Sequence, residues 1–255
     1  MPIYIGKNVC GVLELINRLG NGVFTQRDMT LLEIFAGYTS FVLQNALDAK
    51  RAHELAKRDD LTGLFNDRWF HVRLAEEMEI SRKTGDECSL IFMDLDNFKF
   101  VNDQHGHLAG SQVLREVGFL LSRTLLKIET AIVSRYGGDE FVIILPGHTL
   151  EQGAAVAESV RCAIAETIFL PNDYGFGLPA VRLDGVLSAS VGVASYVPIR
   201  GVKGKPENDR NDLLRRADAA MYEAKARGKN LVVVGTASTI GGGSSLVSDG
   251  SGRAN

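Results

Sequence analysis

Residues 134–146 read SRYGGDEFVIILP, where two glycines separate a basic-aromatic pair (Arg135, Tyr136) from two consecutive carboxylates (Asp139, Glu140). After the acids the chain runs Phe141-Val142-Ile143-Ile144-Leu145, an apolar stretch of strand length suited to a sheet interior. Before the glycines, AIVSRY (131–136) reads as a second strand. Strands joined by Gly137-Gly138 predict a hairpin, because a two-residue primed turn needs positive φ, where glycine sits without strain. On this reading Asp139 and Glu140 open the returning strand near solvent. Alternation sends their side chains to opposite faces, so at most one should point squarely at a given ligand.

A second acidic pair ends another apolar strand, CSLIFMDLD (88–96), with Asp94 and Asp96 at its end. If the two strands are neighbours, Asp94 and Asp139 meet across them. Carboxylates that close repel and raise one pKa unless a cation sits between them. A hard cation with oxygen ligands, Mg²⁺ above all, resolves the conflict. Any one acid at a strand end is an ordinary solvated turn residue. Two such pairs, each ending a buried strand, weaken that account.

Basic groups extend the pattern. A helix beginning just after Asp96 would offer backbone N–H groups and its positive dipole end to phosphate. Lys99 could neutralise phosphate charge there. In AAMYEAKARGKN (219–230) Lys225 and Lys229 stand four apart, the spacing of one helical face. Lysines taken singly are surface charges, but with a metal site they describe a nucleoside triphosphate pocket.

Around this centre the chain alternates helices and strands. NDRWFHVRLAEEMEISRKT (66–84) is an amphipathic helix ended by Gly85, 110–126 and 150–168 read as helices, 187–196 as a strand, 210–227 as a helix and 231–234 as a last strand. That order predicts an α+β or mixed sheet fold. Residues 8–18 alternate like a half-buried strand, LGNG (19–22) reads as a turn, and Thr25 caps a long helix with Asp28 in a short capping box. The helix carries an apolar face at Leu31, Phe35, Tyr38 and Val42 and continues into polar DAKRAHELAKRDD (48–60). One strand and one helix close no core, so residues 1–47 are expected to be the last part of a domain, and 48–58 a helical linker. The tail 236–255, rich in Gly and Ser, is expected to be disordered.

A net charge of −3 gives no electrostatic footprint for nucleic acid or an anionic membrane, and no apolar run is long enough to span one. Cys10, Cys88 and Cys162 are odd in number and lack metal or redox spacing. A cytoplasmic protein is expected.

Five motifs in order carry a resemblance. RDDLTGLFNDRWF (58–70), FMDLDNFKFVNDQHGHLAGSQVL (92–114), RYGGDEF (135–141), SASVGVA (188–194) and ADAAMYEAKARGKN (217–230) are similar to those of the GGDEF-domain nucleotidyl cyclases, the diguanylate cyclases. Residues 1–47 resemble the C-terminal part of a GAF sensor domain, in front of a cyclase domain at 59–235. The resemblance implies a palm-like α+β core, with a central mixed, largely antiparallel sheet wrapped by helices and a long helix in front. It also implies a homodimer in which two nucleotides face each other and close into a 3′,5′-cyclic dinucleotide with release of pyrophosphate.

Carried over by position, Asp94, the Leu95 carbonyl, Asp139 and nearby Glu140 would hold Mg²⁺, with Mn²⁺ able to substitute. Asp139 would take the 3′-OH proton, unless metal activation makes a dedicated base unnecessary, and Lys99 would stabilise transition-state charge. Asn97 and Phe98 would supply backbone N–H groups, Lys225 and Lys229 phosphate contacts, and Asn102, His107 and Ser111 the base pocket.

Two departures bear on function. Where the family carries an aspartate after GHxxG, this chain has Ser111. A carboxylate accepts from guanine N1–H and the 2-amino group together, whereas a hydroxyl serves either purine. The substitution resembles the hybrid promiscuous branch, which joins ATP and GTP into cyclic GMP-AMP. An ordinary diguanylate cyclase using two GTP is the alternative, and a nucleotide-binding domain without catalysis another. The family's RxxD product-inhibition motif falls on Ile128 and Ala131, so both its charges are missing.

Overall fold

The computed structural model describes residues 1–17, 22–173, 180–198 and 206–235. The expected turn at 19–22, Gly22 apart, and the tail at 236–255 lie outside them. The chain divides into two compact units, Met1–Arg58 and Asp59–Asn255.

In the first unit β1 (Pro2–Ile5) and β2 (Asn8–Val12) form an antiparallel hairpin turning through Gly6 at φ +59°. The single strand expected over 8–18 is thus shorter and has a partner. Its ladder stops where β1 runs out, with Leu13 N–H bonded to the Met1 carbonyl at 2.7 Å. The helix α1 (Gln26–Leu55) begins with the expected capping box: Thr25 accepts from the Asp28 N–H, and Asp28 from the Thr25 N–H. Of its apolar residues Leu32 and Ala36 are buried, while Phe35 and Tyr38 are 61% and 67% exposed.

The second unit is the α+β structure expected: a mixed, largely antiparallel five-stranded sheet with helices on both faces. Its helix α2 (Asp67–Thr84) is capped by Asn66, whose side chain accepts from the Trp69 N–H, and ends at Gly85 in the left-handed region. The strand β3 (Cys88–Asp96) is wholly buried, as its apolar run requires. It leads into α3 (Phe98–Thr124), β4 (Ile132–Gly137), β5 (Glu140–Pro146), α4 (Leu150–Glu166), β6 (Ser188–Tyr196), α5 (Pro206–Ala226) and β7 (Val232–Val234). The sheet order is β4-β5-β3-β6-β7, antiparallel except for β6 with β7. Among the described residues no helix is long and apolar enough to cross a membrane.

Strand alternation sorts the core. Ile91, Met93 and Leu95 pack with α3 and α4, whereas Leu90 and Phe92 pack with α2 and α5. By the same alternation Asp94 and Asp96 extend the α5 face. The helix α5 lies very close to β6. A Cβ on Gly192 would stand 2.0 Å from the Ala217 carbonyl oxygen and 2.3 Å from the Met221 nitrogen, so only glycine fits there.

Three sequence expectations need correction. The helix expected just after Asp96 does begin at Phe98, but it is continuous with the one expected over 110–126, as α3 to Thr124, broken only at Gly106 (φ +83°, ψ 163°), which separates two helical segments. The hairpin turn lies one residue later than Gly137-Gly138. Gly137 still pairs with Glu140, Gly138 alone takes positive φ (+51°), and Asp139 sits in the turn itself. Lys225 and Lys229 share no helical face, because α5 ends at Ala226 and the chain turns through Gly228, Lys229 and Asn230 at φ +116°, +66° and +45°.

Candidate active site

The candidate site forms where β3 ends beside the β4–β5 turn. Register places Asp94 directly opposite Glu140 on β5 and opposite Ser190 on β6, on one face of the sheet. The Leu95 N–H donates to the Asp139 carbonyl at 3.2 Å, fastening the turn to the strand end. Arg135 clamps the same turn: its Nε and Nη2 donate to the Gly138 carbonyl at 3.0 and 2.8 Å, and its Nη1 to the Asp59 carboxylate at 3.1 Å. Asp59 also accepts from the Thr62 N–H and hydroxyl. Burial pushes its pKa up, but Thr62 and Arg135 outweigh that and hold it below the usual aspartate value. Sequence reading missed this clamp, although both ends stood in the quoted motifs.

Lys225, in the last turn of α5, reaches Asp94 Oδ2 with Nζ at 2.7 Å. Burial raises the Asp94 pKa; the nearby charges of Asp139 and Asp96 add to the rise, and Lys225 opposes it. Glu140 is raised too, by burial first and then by Asp94 and Asp139. The centre therefore carries more negative charge than one lysine relieves.

At the start of α3, Asn97 adopts a left-handed conformation (φ +63°, ψ 13°) and its side chain does not cap the helix. It donates instead to the Val186 carbonyl and accepts from Lys229 Nζ at 3.2 Å. The first-turn N–H groups of α3 thus lack a side-chain cap, in the manner of anion-binding helix ends. Asp94, Leu95, Asn97, Phe98, Lys99, Asp139, Lys225 and Lys229 line one open cleft of about 410 Å³ with Asp96, Phe100, Asp103 and Gln104. Glu140 adjoins it through its pairing with Asp94.

The three residues expected to contact the base lie further along α3, outside that lining. Asn102 packs against Gly110, where a Cβ would fall 2.0 Å from Asn102 Oδ1, so any larger residue there would turn the Asn102 side chain away. Ser111 is next in the chain and half-buried, while His107 is exposed just after the Gly106 break.

Among the described residues no three His, Cys, Asp or Glu side chains are gathered tightly enough to hold a metal ion. The donor set nevertheless suits a hard divalent cation. It consists of oxygens, and two of its carboxylates are destabilised in their charged form by burial and by each other, which a cation would relieve.

Comparison with known proteins gives a consistent result. The family described as "Diguanylate cyclase, GGDEF domain" matches residues 56–231. The response regulator PleD of Caulobacter vibrioides is 35% identical over 196 residues, 77% of this chain and 39% of PleD. Diguanylate cyclase DosC of Escherichia coli is 31% identical over 198 residues, again 77% of this chain and 39% of the relative. The chain thus spans about two-fifths of the length of these relatives. The coiled coil and GGDEF domain of DgcB from Caulobacter crescentus, solved in complex with c-di-GMP, superimposes with a TM-score of 0.68 at 26% identity, covering 80% of this chain and 99% of that one.

Proposed function

The chain belongs to the GGDEF diguanylate cyclase family, and from that premise we propose that it condenses two GTP into cyclic di-GMP as a homodimer. The observation that carries this reading is the cleft, in which Asp94 opposite Glu140 faces Lys225 beside a helix start without a side-chain cap. Asp94, the Leu95 carbonyl, Asp139 and Glu140 would hold Mg²⁺. When bound, the metal neutralises phosphate charge and lowers the pKa of a coordinated hydroxyl.

The chain's own groups do the rest. The N–H groups at the start of α3 and the ammonium groups of Lys225 and Lys229 bind the β- and γ-phosphates, and Lys99 stabilises charge as it develops. Asp139, at the turn tip, accepts the 3′-OH proton. The 3′ oxygen of one nucleotide then bonds to the α-phosphorus of the other while the bond to pyrophosphate breaks. The same step in the opposite sense closes the ring.

A second reading rests on Ser111. A hydroxyl in place of a carboxylate gives up a bidentate guanine contact worth about 1–3 kcal/mol, so ATP would enter and the product would include cyclic GMP-AMP. The relatives named diguanylate cyclases support the all-GTP product better. We read residues 1–47 as part of a GAF-like sensory module joined through residues 48–58 to the cyclase domain.

Incubation with Mg²⁺ and labelled GTP, alone and with equimolar ATP, separates these readings. The expected result is pyrophosphate and cyclic di-GMP, with Asp139→Ala inactive but folded. Binding without pyrophosphate release would make the domain a non-catalytic sensor or scaffold. If mixed product appears, Ser111→Asp should lower ATP incorporation by roughly ten- to a hundredfold.

A further inference from the structure

Asp96 stands two residues beyond Asp94 and is only 2% exposed. A buried carboxylate is tolerable when hydrogen-bond donors replace its water, and here three do. Ser190 Oγ donates to Oδ1 at 2.7 Å, Ser188 Oγ to Oδ2 at 2.7 Å, and the Asn230 backbone N–H to Oδ2 at 3.0 Å. The two serines belong to β6, so they fix the carboxylate on the sheet.

The third donor belongs to the left-handed turn of Gly228, Lys229 and Asn230. Asparagine tolerates that conformation, but for lysine it is strained, and such residues persist where their surroundings hold them. A second tether comes from α4. Arg161 Nη1 donates to Asn230 Oδ1 at 2.6 Å, with its guanidinium anchored on Glu158. Both anchors hold Asn230; Lys229, just before it and with its own N–H on the Ala224 carbonyl at 3.0 Å, reaches the cleft, where its ammonium meets Asn97 Oδ1 at the start of α3.

We propose that Asp96 is a positioning residue for Lys229: with Arg161, it holds the left-handed turn that presents the ammonium to the phosphates. The inference deepens the nucleotide reading of the cleft and rests on it. Both Asp96 oxygens are taken up by these three donors, and its positioning role runs through the Asn230 N–H.

A double-mutant cycle with a binding readout tests this. Affinity for a non-hydrolysable GTP analogue and for GMP is measured by calorimetry for the wild type, Asp96→Ala, Asp96→Asn, Lys229→Ala and the double variant Asp96→Ala/Lys229→Ala, with thermal melts to confirm folding. Asp96→Ala should weaken the triphosphate by about as much as Lys229→Ala, roughly ten- to a hundredfold for one charge-assisted contact. GMP, which lacks the outer phosphates, should change less than twofold. The double variant should bind no more weakly than Lys229→Ala. Asp96→Asn should stay near wild type, because its amide oxygen can accept the Asn230 N–H while its nitrogen donates to a serine oxygen.

Losses that add across the cycle, or triphosphate affinity unchanged in folded Asp96→Ala, would overturn the proposal and leave the nucleotide reading standing. A wild type that binds no triphosphate would overturn both. If Asp96→Ala does not fold, Arg161→Ala takes its place, with a smaller loss expected in the wild-type background and none on top of Lys229→Ala.

Discussion

Substituting Gly192 by alanine tests how tightly the sheet sets the phosphate side of the cleft. Gly192 lies mid-strand, paired with Phe92 on one side and Val233 on the other. The new methyl would meet the Ala217 oxygen at 2.0 Å and the Met221 nitrogen at 2.3 Å, where ordinary contact begins at 3.4 Å. Backbone faces backbone, so no side-chain rotation relieves the overlap, and α5 must back away by about 1.4 Å. Overpacking typically costs about 1–3 kcal/mol, and a clash between two backbones belongs at the upper end. For a domain of this size each kcal/mol lowers Tm by about 2–4 °C, so a fall of roughly 6–12 °C is expected. The same displacement carries Lys225 off Asp94, and a misplacement of about 1 Å at a reacting centre can cost on the order of a hundredfold in rate. Thermal melts followed by circular dichroism, with pyrophosphate release measured well below the variant's melting point, check both effects. A variant with unchanged Tm would refute the close approach of α5 to β6. Lowered Tm with full turnover would refute the link from α5 to the chemistry.

Glu140→Gln removes a half-buried charge disfavoured by burial first and then by Asp94 and Asp139, so the metal-free protein should melt about 1–3 °C higher at neutral pH. Because the folded pKa of Glu140 is raised, its ionisation costs stability. The gain should therefore be fully present above the folded pKa and vanish as pH falls through the unfolded value; a gain that persists in acid would contradict this origin. On α1, Phe35→Glu with Tyr38→Glu should leave helicity intact and shift sedimentation from dimer to monomer, with turnover lost. A dimer that survives both substitutions places the contact elsewhere.

Much of the fold was legible because local signals agreed with it. The apolar run at 88–96, the Asn66 cap and Gly85 stop of α2, and the capping box of α1 each stand within a few residues of one another. Two of the misses share a cause: they depend on partners distant in the chain. Strand β2 ends where β1 does, a fact no pattern within residues 8–18 contains. The turn at Gly138 is shifted by Arg135, which holds the Gly138 carbonyl and reaches back 76 residues to Asp59. Lys229 departs from helical spacing because α5 ends at Ala226 and Gly228 turns the chain at φ +116°, a local stop the spacing count overlooked, while the Asn230 N–H that follows goes to Asp96, 134 residues earlier. Asp96 stood in the sequence only as the second acid of a strand-end pair, and its three donors, Ser188, Ser190 and the Asn230 N–H, come from elements far along the chain.

The ion pair between Lys225 and Asp94 has a thermodynamic consequence for the proposed reaction. In the free protein each already serves as the other's counter-ion at 2.7 Å. A cation that takes Asp94 releases the lysine, and a phosphate that takes the lysine releases the aspartate. Each arrival therefore lowers the cost of the other, and linkage makes the effect reciprocal. Metal and nucleotide become heterotropic effectors of one another through a single ammonium group, so neither should saturate the cleft alone at the concentration that suffices when both are present.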